Sequence, residues 1–207
     1  TPEQLAHYPD PHSTNTQSAL LTLLPLGVEA TTEVLRDHKR GVEESHNVYL
    51  APEALPLAAR LALSTSPEQA RPSSALGLLE KAALEYGVKL DQLALANPGS
   101  PEPKLLLRLA QLQRKQEAVR HAEQNALNQG NLDRASELHF ETQSTLSTEI
   151  ENANQEYVRL GGDRFLPECI TPAWVAEIAG RLLGQAPELL LDTLPERLFR
   201  LKEQLTR

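Results

Sequence analysis

The chain has 207 residues, and its 40% hydrophobic content is enough to bury the core of one or two domains. Its 20 basic and 28 acidic residues give a formal net charge of -8, which argues against a surface built to hold nucleic acid. The single cysteine, Cys169, excludes an internal disulfide. The sequence has neither a signal-peptide pattern nor an apolar run of the roughly 20 residues that a spanning helix needs. These features predict a cytoplasmic protein that binds neither membrane nor nucleic acid.

The composition predicts a mainly α fold. Leu and Ala dominate the apolar residues, aromatic residues make up only 4% of the chain, and Met is absent, as in helices packed by aliphatic side chains. Residues 1–18 hold three prolines and no apolar period, which predicts a loop. The apolar run from Ala19 to Leu26 ends at Gly27 and is predicted to be a buried strand, with a helix as the alternative. The chain opens on Thr1 and stops within a helical pattern, so we expect it to be a piece of a longer protein.

Three helices are predicted between residues 28 and 94, where they would form a small helical domain. The first runs from Val28 to His46, the second starts at Pro52 and runs to Leu63, and residues 64–74 form a loop. The third is predicted from Ser74 to Tyr86, with Gly87 as its C-terminal stop. The predicted inward positions recur at helical spacing: Val28, Thr31, Val34, Leu35, His38 and Val42, then Leu55, Ala58, Ala59 and Ala62, then Leu76, Leu79, Ala83 and Tyr86.

Residues 95–165 are predicted to form an antiparallel coiled-coil hairpin. A proline-containing linker from Asn97 to Pro103 precedes about three heptads that begin at Leu105. The apolar pattern stops at Asn128 and resumes at Leu132. Between them, Gly130 suits a left-handed turn and Asn131 suits an N-cap, so the chain is predicted to reverse direction there.

The two arms of this hairpin are predicted to be long and loosely paired. Each arm of about 25 residues would project roughly 35 to 40 Å. The polar residues Gln116, Glu123 and Thr142 lie on the seam, which predicts a weak pairing and an element that moves. Residues 161–163, Gly-Gly-Asp, are predicted to end the second arm.

The last segment, residues 166–207, is predicted to hold two helices. Thr171 is the expected N-cap of the first, with Pro172 at its first position and Gly184 at its end. The second is predicted from about Pro195 onward.

Sequence motifs for catalysis are absent. The chain lacks G-x-x-x-x-G-K-[ST], G-x-G-x-x-G, H-E-x-x-H and G-x-S-x-G. His7 with His12, and His38 with His46, have no third ligand at useful spacing, so no metal site is predicted.

Two remaining residue sets could support an enzyme without a known motif, and both are disfavoured. Cys169 has only Arg164 nearby as a cation, so it is expected to be a small packed side chain rather than a nucleophile. Glu43 and Glu44 form a carboxylate pair, but adjacent residues point to different faces of a helix.

Six colinear segments resemble the Clp class of AAA+ protein unfoldases, and among them the ClpC type most closely. Val28–Leu35 is similar to the start of the small helical lid of the first ATPase module. His46–Val48, Pro52–Leu55 and Pro72–Ala82 continue the lid in the same register. Leu132–Leu138 is similar to the tip of the short middle domain, and residues 170–184 resemble the segment that leads into the second ATPase module. The resemblance covers about residues 28 to 205.

The resemblance implies a fold and a division of the chain. Residues 1–27 would be a loop and possible strand, residues 28–94 a helical AAA+ lid, residues 95–165 an inserted coiled-coil middle domain, and residues 166–207 linker helices toward a second ATPase module.

Departures from the family pattern fall at its nucleotide contacts. The pair of arginines that reaches the neighbouring subunit's nucleotide is replaced by Asn15–Ser18. The lid's Asp and Lys, which follow Pro72 and face the nucleotide in the family, are Ser73 and Ser74. Leu182 and Ala186 replace the Trp and Pro of the family's W-T-G-x-P. We therefore expect a degenerate, structural first module, with no cofactor in this chain and with ATP and Mg bound only in a full-length parent.

The resemblance also implies a partner surface at the hairpin tip, because the family's middle domain contacts adaptor proteins or its own ring. The corresponding residues are Leu132, Arg134, His139 and Phe140, although the family's tip Phe is Leu132 and its following Arg-Asp pair is His139-Phe140. The alternative is that Leu132 caps the hydrophobic seam and Phe140 packs on the first arm.

The expected function is that of a regulatory and interaction region of a Clp-type ATP-dependent unfoldase. Its implied partners are an adaptor protein or a neighbouring subunit, with unfolded protein substrate handled by a hexameric parent. The alternative is a stand-alone helical adaptor or scaffold, since the hairpin also resembles a UVR-type module. The lid upstream and the segment downstream favour the first hypothesis.

Overall fold

The predicted mainly α fold is confirmed by a computed structural model, which describes residues 26–65, 71–96, 98–161 and 166–192. The helices are α1 Val28–His46, α2 Ala54–Thr65, α3 Ser73–Ala96, α4 Glu102–Asn128, α5 Leu132–Glu137, a π-helical turn Leu138–Gln143, α6 Ser144–Arg159, α7 Pro172–Leu183 and α8 Pro187–Leu191. Within these described ranges, strand-like pairing is limited to an isolated parallel bridge between Leu50 and Ile170. None of the helices in the same ranges is both long and apolar enough to cross a membrane.

Helices α1, α2, α3 and α7 enclose one apolar core, to which the hairpin adds buried residues of α4 and α6, among them Leu106, Leu109 and Tyr157. The predicted stripe of α2 is buried throughout. In α1 the predicted bounds are confirmed, and Leu35 and Val42 are buried, but His38 and Val28 are exposed. The inward position next to His38 belongs to Lys39 instead, because Lys39 lies one helical turn from both Leu35 and Val42.

The predicted end of α3 at Gly87 is wrong, since the helix continues to Ala96. Leu90 is buried and Leu93 packs against the core beyond the glycine. A glycine inside a helix costs about 1 kcal/mol relative to alanine. Burying one leucine contributes about 1.5–3 kcal/mol, which is enough to carry the helix past that position.

Helices α4 and α6 lie side by side and antiparallel, which forms a helical hairpin. The chain reverses at Gly130, whose φ of 74° is left-handed, as the sequence predicts. The Asn131 side chain accepts a hydrogen bond from the backbone N–H of Arg134 at 3.1 Å, so the predicted N-cap is confirmed. Across the seam, the Gln116 amide donates to Ser147 Oγ at 3.0 Å. The coiled-coil character and mobility of the hairpin stay predictions.

The second arm departs from the expected regular helix at the π-helical turn Leu138–Gln143. A π-helical turn inserts extra backbone into an α-helix and shifts the faces that follow it. Within the turn Leu138 is buried, whereas Phe140 is exposed. The arm ends at Leu160, followed by Gly161 in a left-handed conformation.

Helix α7 is fixed against α3 by specific polar contacts. Thr171 Oγ1 accepts from the backbone N–H of Trp174 at 3.3 Å, and Gly184 has a φ of 65°, so both predicted ends of this helix are confirmed. The Trp174 indole N–H donates to the carbonyl of Ala82 at 3.0 Å, and its ring meets Tyr86 edge to face. The short helix α8 was not predicted, and Arg60 holds it by donating to the carbonyl of Leu190 at 2.6 Å.

Several sequence predictions fall outside the described residues. They are the loop of residues 1–18, the strand up to Pro25, the Asn15–Ser18 replacement, and the last helix from Pro195. Leu26, at the end of the expected strand, is exposed and lies in no regular element. The domain boundaries inside the chain stay predictions.

Candidate functional site

Two exposed apolar side chains mark the free end of the hairpin. Leu132 is 68% exposed and Phe140 is 72% exposed. Large apolar side chains at such exposure remain in water unless another surface covers them. We call Leu132, His139 and Phe140 the tip patch.

The four predicted contact residues are only partly brought together. His139 and Phe140 meet edge to face with ring centroids 5.0 Å apart. The Nδ1 atom of His139 is 3.0 Å from Glu123 Oε1 on α4, so the seam partly holds this ring. Arg134 instead pairs with Glu137 at 2.6 Å within its own helix. That these residues bind a partner stays a prediction.

Midway along the first arm of the hairpin, charged side chains are buried between α1 and α4. Lys39 is 4% exposed and Glu43 is 3% exposed. The Lys39 ammonium pairs with Glu117 of α4, lies 3.5 Å from Glu43 Oε1, and sits 4.5 Å above the centre of the Tyr49 ring. We call Lys39, Glu43, Tyr49 and Glu117 the base cluster.

Hydrogen bonds tie this cluster to the backbone around it. The N–H of Leu50 donates to Glu43 Oε1 at 2.8 Å. From α4, the Arg114 guanidinium donates to the carbonyl of Glu43 at 3.2 Å and to the side-chain oxygen of Asn47 at 2.8 Å. Asn47 is the left-handed residue that ends α1. One arm of the hairpin is thus bonded to the C-terminal end of α1.

In the base cluster, the carboxylates of Glu43 and Glu117 share the one ammonium of Lys39. Burial disfavours the charged forms of such groups. Burial raises the pKa of Glu43, while the hydrogen bond from Leu50 and the charge of Lys39 oppose that shift. Burial, together with the charge of Glu117, also raises the pKa of the Tyr49 phenol. A buried charge that has lost its partner is costly, so the three ionic groups hold one another in place.

A groove of about 730 Å³ runs beside the base cluster between α1 and α4. Its walls carry both signs of charge, with Arg40 and Lys115 on the cationic side and Asp37 and Glu44 on the anionic side. Mixed charge of this kind does not select an anion or a cation.

The predicted lid residues lie at the start of α3. The carbonyl of Pro72 accepts from the N–H groups of Ala75 and Leu76 at 3.1 and 3.0 Å. Ser73 is exposed, but Ser74 is buried, and its hydroxyl is a buried oxygen without a hydrogen-bond partner in the part of the chain that the structure describes. Neither residue supplies a charge. Their degenerate nucleotide role stays a prediction.

The residues considered as catalytic candidates, Glu43, Glu44 and Cys169, lie in different environments. Glu43 is buried in the base cluster, whereas Glu44 is exposed and pairs with Arg40 at 2.7 Å. Cys169 is partly buried, and burial together with the charge of Glu168 raises the pKa of its thiol to about 11. Among the described residues, no group of three or more His, Cys, Asp and Glu side chains is placed to hold a metal.

The base cluster was missed in the sequence. Lys39 and Glu43 are spaced i, i+4 on the face of α1 that also carries Leu35 and Val42, and this spacing is a readable signal. The third member, Glu117, comes from a helix 78 positions later, and no local pattern points to it.

Comparison with known proteins gives a fold likeness. No family model and no curated protein matches the chain. Among solved structures, the chain is similar to Hsp104 in the Saccharomyces cerevisiae Hsp104–ADP complex, with a TM-score of 0.53 and 18% identity. The match covers 90% of this chain but only 34% of the Hsp104 chain, so this sequence spans about a third of that protein. At this identity the likeness shows the fold alone, which is that of a helical fragment like part of a Clp-type AAA+ chaperone.

Proposed function

We propose that this chain is the regulatory and interaction region of a Clp-type unfoldase. In this proposal residues 28–94 are the helical lid of an ATPase module, and the hairpin docks an adaptor protein or a neighbouring subunit. The observation that carries the proposal is the tip patch, because Leu132 and Phe140 are exposed at the end of a hairpin whose first arm is bonded to α1 midway along its length. The likeness of the fold to part of Hsp104 supports it.

The first arm of the hairpin connects the tip to the base cluster, and this connection suits the transmission of a docking event. Glu117 precedes the turn at Gly130 by 13 residues, which is about 20 Å along a helix. A partner that displaces the tip would also displace α4. This displacement would strain the ion pair between Glu117 and Lys39. Separating Glu117 from Lys39 would remove one of the two carboxylates that pair with this buried ammonium, which is unfavourable, so α4 and α1 are expected to move together.

The chemistry in this proposal belongs to the longer parent. We infer that this chain performs no catalysis of its own and that its ATPase module is structural, a reading supported by the uncharged Ser73 and Ser74. ATP and Mg, unfolded substrate, hexamer formation and a cytoplasmic location are all proposed for the parent.

Site-specific photo-crosslinking in the cell tests the docking proposal. A benzophenone amino acid replaces Phe140, and the matched control carries it at Glu149, which is exposed in the middle of the same arm. The expected product contains a Clp-type ATPase subunit or its adaptor, identified by mass spectrometry, and depends on position 140. Equal products at both positions, or no product at position 140, would contradict a docking tip.

Nucleotide titration tests the proposal that the module is structural. A longer version of the chain that includes the whole first ATPase module would be titrated with ATP and Mg. We expect no binding at that module. Tight binding of ATP at that module would overturn the proposal that the module is structural. The docking proposal would remain intact.

A further inference from the structure

The second arm of the hairpin carries a continuous heptad repeat, which an unbroken α-helix would place on one face as its seam. The first position of each heptad is Leu132, His139, Leu146, Ala153 and Leu160, and the position four residues later is Ser136, Gln143, Ile150 and Tyr157. The structure follows this repeat in α6, whose inward side chains are Leu146, Ile150, Ala153 and Tyr157. Before α6 the structure departs from the repeat.

The seam before α6 is filled by other side chains. Ala135 and Leu138 are buried, whereas Leu132 is 68% exposed. Leu138 precedes Leu146 by eight residues, one more than a heptad, so an unbroken α-helix would turn the two side chains about 80° apart. The π-helical turn that begins at Leu138 takes up the extra residue, because its hydrogen bonds span one residue more than those of an α-helix.

The arm therefore has two possible registers. In the open register, which the structure shows, the π-helical turn is present and Leu138 fills the seam. In the closed register the arm is an unbroken α-helix, which brings Leu132 and His139 into the seam and turns Leu138 out of it.

The two registers are closely balanced in what they bury. Each places one leucine in the seam that the other exposes. The open register contains the rare π-helical turn, and the closed register contains a polar side chain, His139, at a seam position. His139 already borders the seam in the open register, since its Nδ1 atom is 3.0 Å from Glu123 Oε1 on α4.

We propose that the second arm exchanges between these registers and that the exchange controls the tip patch. In the open register Phe140 follows the seam residue by two positions, and in the closed register by one. Closing therefore turns Phe140 by about 100°, from the outer side of the hairpin to its flank. The same rotation withdraws Leu132 and His139 into the seam, so the tip patch exists only in the open register.

A partner that binds the tip patch would select the open register, because only that register presents the binding surface. This regulatory role rests on the proposed function, whereas the exchange itself does not. Without a partner the closed register is the minor state, and the minor state of such a pair is populated at about 0.1–10%.

Fluorine NMR tests the exchange on the full chain with no partner present. 4-Fluorophenylalanine replaces Phe140, and the closed register is detected as a second signal or, by saturation transfer, as a minor state. Its chemical shift should respond less to D₂O than that of the main signal, because the flank is less exposed. His139→Leu should raise the closed population roughly fivefold or more, since a leucine then occupies the seam position. Leu132→Ser should lower it.

Single-residue deletions test the register mismatch. Glu141 is exposed within the π-helical turn, and its deletion places Leu138 seven residues before Leu146. An unbroken α-helix then holds both leucines in the seam, so the urea midpoint should stay or rise and the closed signal should vanish. The matched control deletes Thr148, which is exposed in α6. That deletion moves Leu146 off the seam and should lower the midpoint.

Two outcomes would overturn the proposal. One is a His139→Leu chain that gives the fluorine spectrum of the wild type. The other is a deletion of Glu141 that lowers the urea midpoint as much as the deletion of Thr148 does. Both measurements are made without a partner, so a wild type that gives no crosslinked product from position 140 would end the proposed function and leave the exchange standing.

Discussion

In the base cluster, where α1 meets the middle of the first hairpin arm, Lys39 and Glu43 are charged and buried, whereas at the hairpin tip Leu132 and Phe140 are apolar and exposed. Burial makes each charge in the cluster depend on its partners, so this region resists change. Exposure leaves the tip side chains with few contacts of their own, so the tip can change at little cost to the fold. The contrast assigns stability to the base cluster and the capacity to bind to the tip.

Loss of Lys39 should have the largest effect. Lys39→Met leaves the buried Glu43 carboxylate and the partly exposed Glu117 carboxylate beside each other without a cation, and breaking a buried ionic group in this way costs about 3–5 kcal/mol. Urea unfolding followed by circular dichroism measures the change. Arg40→Met is the matched control, because Arg40 neighbours Lys39 in the chain but is exposed with its partner Glu44, and it should cost no more than about 0.5 kcal/mol. Equal losses in the two variants would show that the base cluster does not stabilise the chain.

A smaller effect is expected from Glu43→Gln, and it depends on pH. The amide keeps an oxygen for the N–H of Leu50 but removes the ionised carboxylate. Because burial raises the pKa of Glu43 above its ordinary value of 4.5, the folded chain holds the proton more tightly than the unfolded chain does. The stability that this proton linkage contributes is fully present below the unfolded pKa and is lost as pH rises through the folded pKa.

The measurement is the free energy of unfolding of the wild type and of Glu43→Gln, from about pH 4 to about pH 8. The advantage of the wild type over the variant should decline as pH rises above 4.5 and then level off. Glu44→Gln, at an exposed position, should run parallel to the wild type. Parallel profiles for all three proteins would refute the raised pKa.

The sequence was sufficient where local residues decide the structure. The ends of α1 and α7, the turn at Gly130 and the cap at Asn131 follow from residues within a few positions of each feature. The end of α3 does not, because Leu90 stabilises the helix beyond Gly87 only once the core is formed. The helical spacing of apolar residues likewise does not predict the π-helical turn in the second arm.

The tip residues and the base cluster were not equally predictable from the sequence either. The tip residues were identified through a family resemblance, and the structure shows Leu132 and Phe140 exposed there. At the base, periodicity pointed to His38 and missed Lys39 by one residue, because a charged side chain is not expected on an apolar face. Its partner Glu117 is 78 positions away, so only the folded chain brings the pair together.

Asn131→Ala tests whether the N-cap stabilises the hairpin tip. Its effect on the free energy of unfolding is expected to be intermediate. The variant loses the side-chain acceptor for the N–H of Arg134 and should cost about 1 kcal/mol, as other N-cap losses do. Hydrogen exchange should show the faster opening in α5 rather than in α1. Asn128→Ala, on the other side of the turn, serves as control and should cost less. A larger loss at Asn128 would mean that the cap does not hold the turn.

The smallest effect on stability is expected from Phe140→Ser. Phe140 is exposed and its ring touches His139, so its loss should change the free energy of unfolding by no more than about 0.5 kcal/mol. Leu138→Ser, two residues earlier in the same π-helical turn, is the matched control, and because Leu138 is buried it should cost about 2–5 kcal/mol.

This pair of variants decides between the two interpretations of the tip. If Phe140 packs on the first arm, both variants will lower the urea midpoint, and the contrast between base and tip disappears. If Phe140 is held out for a partner, its loss will leave the midpoint in place, and the benzophenone amino acid at position 140 will give the crosslinked product. A side chain that contributes nothing to the folded chain alone is then best explained by what it contacts in another protein.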